Sequence, residues 1–413
     1  MKKRHTPLTW FVAIALALFL PAVVTVGEAA EGESEIVRLK QFPELHERLA
    51  SGESVTVVFL GGSITVGAKA QKGLSYRELV GDWLTETYPN AKIRLINRAI
   101  GSTGSMLGAF RFQDQVLNED PDLLFIEFCV NDMGNGPRAL ENPHIETSSY
   151  RTLSGLVRRA RQLNPDMAIV MPITTVRKSA IGDRWKASRQ IFTRFANLEQ
   201  VPYVDLYQDC YEKPLPDGLT EDLLFTGEDN PGNAVHPDNG GHKTYAHAIN
   251  NTLEALLNTG EFTFRKMAKE HYQSFPLAPQ LYTPKDFEGT ESWTVKKATS
   301  RFPAIHGRDV MIATADSQPI TLKFKGRPTI LWGYSQDRNN KARGVIELHL
   351  DGKLFAKLSG QNGIQGAKSM GRWSWIYRKV DPDKEHRLTI KVPKNQKEVF
   401  MPILGIGVDA GRP

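Results

Sequence analysis

Two residues, Ser63 and His236, are of types that together can move an acyl group. Ser63 ends the run Val55-Thr56-Val57-Val58-Phe59-Leu60-Gly61-Gly62-Ser63, where an apolar strand meets two glycines. In open α/β sheets ligands sit outside the carboxyl ends of the strands, so a hydroxyl there is exposed to substrate yet held rigidly. Gly61 and Gly62 allow a tight turn and close approach of a ligand. Taken alone, the stretch also reads as an ordinary Gly-Ser turn. His236 lies in Val235-His236-Pro237-Asp238-Asn239-Gly240-Gly241-His242, after the last strand and before the last helix of the α/β part. A neutral imidazole there can remove the serine proton and return it to a leaving group. By itself it also reads as a loop histidine at a helix start.

The elements that must position these groups follow from periodicity. Apolar runs at 55–60, 93–99, 122–130, 167–176 and 202–206 read as strands. Helical patterns at 42–49, 76–88, 106–117, 148–163, 183–198 and 240–257 alternate with them. Ser75-Tyr76-Arg77-Glu78 is a capping box, and Ser148 or Ser149 and Asp183 are read as caps. Continuous apolar strands with intervening helices imply a parallel sheet covered on both faces, a three-layer α/β/α sandwich. The loops after Leu60, Ala99 and Val130 then lie side by side. The 209–239 loop is long and rich in Pro, Gly, Asp and Asn, which marks it as functional or disordered.

From about residue 262 short alternating segments replace this pattern. Asp351-Gly352 between two of them is a hairpin signal. The expected organisation is a signal peptide at 1–30, an α/β/α domain at 31–260, a linker at 261–285 and a β-sandwich at 286–413. Trp332, Tyr334, Trp373, Trp375 and Tyr377 of the last part are sandwich core or a sugar-stacking face.

Four segments resemble, in order, the blocks of the SGNH (GDSL) hydrolase family, whose fold is flavodoxin-like. Gly61-Gly62-Ser63-Ile64-Thr65 is similar to the first block, with Gly62 where aspartate is commoner. Residues 97–104 resemble the second. Val130-Asn131-Asp132 resembles the third, with Cys129 where glycine is frequent. Val235-His236-Pro237 and the Gly-Gly-His after it resemble the last. The set spans about half the chain. It differs from the α/β-hydrolase elbow, which needs glycine where Thr65 stands.

The resemblance implies Ser63 as nucleophile and His236 as general base. It implies an oxyanion hole from the backbone N–H of Ser63, that of Gly101 (or Ser102, one place on) and the side-chain amide of Asn131. Alone, Asn131-Asp132 also reads as a helix N-cap. The family places an aspartate three residues before the histidine, where this chain has Asn233. In a serine protease the like change lowers turnover about 10⁴-fold. Either Asn233 turns its carbonyl oxygen to the ring, or Glu228, Asp229 or Asp238 supplies a carboxylate, or activity is weak.

Composition bounds the partners. The chain has 413 residues, a formal charge of +6 and scattered basic residues, which argues against nucleic acid. Lys2, Lys3 and Arg4 precede an uncharged run from Leu8 to Val26 and a small-x-small pattern, the form of an export signal; an uncleaved membrane anchor is the alternative. Cys129 and Cys210 are expected as unpaired core thiols, and no Cys/His cluster has zinc spacing. No cofactor or metal is expected. The function anticipated is a secreted or envelope-associated serine esterase removing short acyl groups, chiefly O-acetyl, from a polysaccharide or a small ester. The alternatives are an O-acyltransferase with the same nucleophile and a weakly catalytic glycan-binding protein.

Overall fold

The computed structural model describes residues 33–133, 143–225, 234–267, 277–334, 342–360 and 371–411. The leader and anchor reading therefore lies outside the described residues. So do Glu228, Asp229 and Asn233.

In chain order the first part contains β1 (Ser34–Arg38), α1 (Gln41–Ala50), β2 (Ser54–Gly61), α2 (Ser63–Val66), α3 (Tyr76–Thr87), β3 (Lys92–Asn97), α4 (Ser105–Phe110), α5 (Phe112–Gln115), β4 (Leu123–Glu127) and α6 (Cys129–Asp132). It continues with α7 (Pro143–Leu163), β5 (Ala168–Ile173), α8 (Asp183–Leu198), β6 (Tyr203–Asp205), α9 (Leu206–Tyr211), α10 (Asn239–Thr259) and β7 (Glu261–Arg265). Strands β3-β2-β4-β5-β6 form a parallel sheet in that order. Successive strand residues point to opposite faces, and the two faces bury different helices. Val57, Phe59 and Phe125 pack with Phe42 of α1, Val80 of α3 and Leu253 of α10. Val58, Leu60, Leu124 and Ile126 pack with Leu107 of α4, Leu156 of α7 and Phe195 of α8. Each such fully buried side chain contributes about 1.5–3 kcal/mol. This is the flavodoxin-like three-layer arrangement expected.

Several boundaries differ from the sequence reading. The apolar run 122–130 is not one strand. It leaves the sheet after Glu127, and Cys129 sits in the helical turn α6, because an apolar run alone cannot separate strand from buried helix. Both cysteines are free and buried, as expected. Helix α7 begins at Pro143 rather than at Ser148 or Ser149; proline is tolerated in a first turn, so it does not exclude helix there. Asp183 is the first residue of α8, and Gly182 is its N-cap. The 106–117 helix is broken at Arg111 and Val116. Ahead of α1 stands β1, which pairs with β7 across the whole α/β part.

The remainder contains β8 (Pro279–Tyr282), β9 (Thr294–Lys297), β10 (Asp309–Ala313), β11 (Ile320–Lys325), β12 (Arg327–Tyr334), β13 (Val345–Leu350), β14 (Lys353–Ser359), β15 (Gly371–Trp375), β16 (Glu385–Lys391) and β17 (Met401–Asp409). One antiparallel sheet runs β15-β12-β17-β10-β9, with β8 also on β17; the other runs β11-β16-β13-β14. Leu331, Ile403 and Ile406 of the first pack on Leu322, Leu348 and Ile390 of the second, so this is a β-sandwich. Asp351 (φ 49°) and Gly352 (φ 82°) form the β13–β14 hairpin turn. The sandwich and the α/β part share one apolar core: Phe110, Ile330, Trp332 and Tyr334 belong to a single cluster. Arg151 Nη2 pairs with the buried Asp409 Oδ2 at 2.8 Å across the same junction.

Candidate active site

Ser63 sits at the first position of α2, directly beyond the carboxyl end of β2. The turn is drawn tight. Val66 N–H donates to Gly62 C=O at 3.0 Å and Ala68 N–H to Ser63 C=O at 3.0 Å. Neither glycine of the turn has room for a side chain. An ideal Cβ on Gly61 would lie 2.2 Å from Thr65 Oγ1 and 2.8 Å from the Glu127 carbonyl oxygen. One on Gly62 would lie 1.7 Å from Asn131 Oδ1. Steric approach, and not backbone conformation, explains glycine at Gly62, whose φ of −95° is open to any residue.

His236 Nε2 lies 2.8 Å from Ser63 Oγ, so residues 173 positions apart share a hydrogen bond. Both side chains are half-buried. The segment carrying His236 is anchored on each side. Arg177 N–H donates to Ala234 C=O at 2.9 Å, Asp238 N–H to Leu224 C=O at 3.1 Å, and Gln71 N–H to Asn239 Oδ1 at 2.9 Å. Gly240 and Gly241 are needed for contact: a Cβ on either would lie 2.2 or 2.4 Å from the carbonyl oxygens of Leu223 and Leu224. His242 is structural. Its Nδ1 accepts the Tyr76 N–H at 3.2 Å, its ring stacks on Tyr76, and burial lowers its pKa to about 4.

Burial first, and then the charge of Lys69, hold the His236 pKa below the ordinary imidazole value. The ring is therefore neutral near pH 7, the state in which it can accept a proton. Lys69 has a left-handed backbone, with φ 75°. Asp238 is the N-cap residue of α10, and its C=O accepts the His242 N–H at 2.8 Å.

The other two loops arrive as the sheet dictates. Ile100 N–H donates to Gly61 C=O at 3.0 Å, which lays the loop beginning at Gly101 beside the Ser63 turn. Gly101 is buried; Ser102 is exposed with φ 60°. Thr103 Oγ1 closes the loop on Ile100 C=O at 2.7 Å. Asn131, in α6, places its amide against Gly62, and its buried Oδ1 has no hydrogen-bond partner among the described residues.

Asp132 and Glu127 are two residues whose part the sequence reading missed. Asp132 Oδ1 accepts the Ser105 N–H at 3.0 Å and so ties the second loop to the third. Burial raises its pKa to about 6, against the opposing hydrogen bonds from Ser105. Glu127 is wholly buried beneath the Ser63 turn. The available signal was one carboxylate in an otherwise apolar strand. Trp332 and Tyr334 are core residues, 0% and 2% exposed, so the sugar-stacking reading does not hold for them. Tyr377 is exposed, whereas the side chains of Trp373 and Trp375 lie outside those described. Among the described residues no group of acidic, Cys or His side chains has the arrangement of a metal site.

Residues 59–244 match the profile of the GDSL-like lipase/acylhydrolase family. Among curated proteins none matches the chain significantly by sequence. Among solved structures the chain is similar to a two-domain esterase (CEX) active on acetylated mannans, co-crystallised with mannopentaose. The TM-score is 0.68 and the identity 20%, over 93% of this chain and 98% of that one. A second crystal structure of a two-domain esterase (CEX) active on acetylated mannans gives TM-score 0.67 at 20% identity, over 90% and 95%. The fold thus extends through both the α/β sandwich and the β-sandwich. Residues 59–244 form a GDSL-like lipase/acylhydrolase domain.

Proposed function

We propose that the chain removes short acyl groups, O-acetyl above all, from a polysaccharide through a Ser63–His236 mechanism. The observation that carries this reading is the 2.8 Å contact between Ser63 Oγ and His236 Nε2. In the first step Ser63 Oγ attacks the ester carbon while its proton passes to His236 Nε2. The carbonyl oxygen becomes an oxyanion, met by the N–H groups of Ser63 and Gly101 and by the Asn131 side-chain amide. Each donor of this kind is worth about 2.7–4 kcal/mol of barrier. Collapse breaks the C–O bond to the sugar, whose oxygen takes the proton back from His236. Water, deprotonated by the same imidazole, then attacks the acyl-enzyme. Carboxylate leaves and Ser63 regains its proton.

The substrate class is supported by the likeness, over both parts of the chain, to an esterase active on acetylated mannans. The group orienting His236 is sought among Asn233, Glu228, Asp229 and Asp238. Export through the 1–30 leader fits a polymeric substrate and is tested by sequencing the mature N-terminus. Acetate release should be measured from acetylated mannan oligosaccharides and from p-nitrophenyl acetate, by wild type and by Ser63→Ala. The expected result is release from both by wild type alone. Equal rates for the two proteins would end the mechanism. Activity on the small ester alone would end the polysaccharide assignment.

A further inference from the structure

Glu127 closes β4 as the only charged side chain in Leu-Leu-Phe-Ile-Glu, and it is 0% exposed. Its two oxygens gather donors from both sides. Thr174 Oγ1 donates to Oε1 at 2.8 Å, and Thr65 Oγ1 donates to Oε2 at 2.8 Å. Burial raises the Glu127 pKa, against the opposing Thr174 and Thr65 hydroxyls and the nearby backbone N–H groups of Gly62 and Thr65. Among the described residues Glu127 forms no ion pair; hydroxyls and backbone N–H groups stabilise it. A buried carboxylate is costly unless hydrogen-bonded, so this one is kept at a desolvation cost that an apolar residue would avoid.

The position of the donors shows what that cost secures. Gly62 and Thr65 bracket Ser63 and Ile64. Glu127 lies beneath this turn and holds Thr65, two residues beyond Ser63, through its side-chain hydroxyl. Thr65 Oγ1 extends the network to Tyr76 Oη at 2.8 Å, and the Tyr76 N–H at the start of α3 donates to His242 Nδ1. What the hydrogen bonds of Glu127 reach is the backbone turn that carries Ser63, so its effect is one of geometry.

We propose that Glu127 is a positioning residue for the nucleophile: its carboxylate holds the Gly62–Thr65 turn so that Ser63 Oγ meets His236 Nε2. The proposal rests on the Ser63–His236 reading above. Glu127→Leu removes the acceptor and keeps an apolar side chain. Glu127→Gln keeps one carbonyl oxygen for Thr65 Oγ1, and its amide can donate to Thr174 Oγ1.

The experiment measures kcat and KM on p-nitrophenyl acetate, together with the rate at which a fluorophosphonate labels Ser63. Misplacement of a reacting group by about 1 Å costs about 10²-fold. Glu127→Leu should therefore lose about that factor in kcat, with KM within about threefold and labelling slowed in parallel. Glu127→Gln should recover to within about tenfold of wild type. A folded Glu127→Leu that labels and turns over at the wild-type rate would overturn the proposal, whatever its melting temperature. Should Glu127→Leu fail to fold, Thr65→Val with Thr174→Val replaces it. That pair removes both hydroxyl donors, and a loss of about tenfold in kcat at constant KM is expected; an unchanged kcat would refute the role. A wild type that neither labels at Ser63 nor hydrolyses esters would sink the nucleophile assignment and Glu127's part with it. An active wild type with an unaffected Glu127→Leu sinks only the latter.

Discussion

Replacing Gly62 by alanine should damage catalysis while leaving the fold nearly intact. The backbone at Gly62, with φ −95° and ψ −150°, accepts an L-residue, so no conformational strain is introduced. The new methyl would stand 1.7 Å from Asn131 Oδ1 and 2.6 Å from its Cγ. Ordinary carbon contacts are about 3.5–4.0 Å, so the amide must retreat by roughly 1.5 Å or more. It lies at the far end of a side chain, and moving it costs little stability. An oxyanion donor displaced that far is lost, which lowers kcat about 10²–10³-fold, or about 2.7–4 kcal/mol. Gly61→Ala makes the opposite case. Its methyl would meet the Glu127 backbone carbonyl at 2.8 Å and Thr65 Cβ at 2.7 Å, so it should destabilise the fold itself. The assay is a double-mutant cycle on kcat for Gly62→Ala and Asn131→Ala, with urea unfolding as control. If the methyl acts through the amide, the double variant is no slower than Asn131→Ala alone. Additive losses, or a Gly62→Ala enzyme at wild-type kcat, would refute the reasoning.

Two further predictions concern pH. Lys69→Met removes one of the two causes that depress His236, so the acid limb of kcat/KM should move up towards the ordinary imidazole value. Burial remains, so the move is partial; a limb that stays in place or falls contradicts the assignment of His236 as base. Asp132 has a folded pKa of about 6, above the unfolded value near 3.8, so the folded chain binds more protons between them. That contribution is present at low pH and lost as pH rises through about 6. Asp132→Asn cannot lose it, so its stability relative to wild type should rise by up to about 3 kcal/mol from pH 4 to pH 7.5, read by urea unfolding at each pH. A pH-independent difference would show that Asp132 titrates normally.

The alternation of apolar strands with amphipathic helices made the parallel sheet legible, because its strands are buried on both faces and read as unbroken apolar runs. The Ser75–Glu78 capping box and the Asp351-Gly352 turn are local devices, and both stand where the residues indicated. What escaped depends on long-range contact. The β1–β7 pair joins segments more than two hundred positions apart. The end of β4 at Glu127 is fixed by Thr65 and Thr174, neither of which is near it in sequence. The reach of Asn131 to Gly62 is equally invisible, yet it supplies a physical reason for glycine where the family more often has aspartate. Of the five aromatics weighed as a sugar face, Trp332 and Tyr334 went to the core, since large aromatic surfaces gain most from burial.

The central claim is that Ser63 carries the acyl group between two half-reactions. Rapid-quench mass spectrometry of the chain mixed with p-nitrophenyl acetate tests it most directly. The account predicts a burst of nitrophenolate with one acetyl group localised to Ser63, with both formation and discharge slowed in His236→Asn and the burst absent in Ser63→Ala. Turnover by wild type with no acyl group on Ser63, or an undiminished burst in Ser63→Ala, would contradict it.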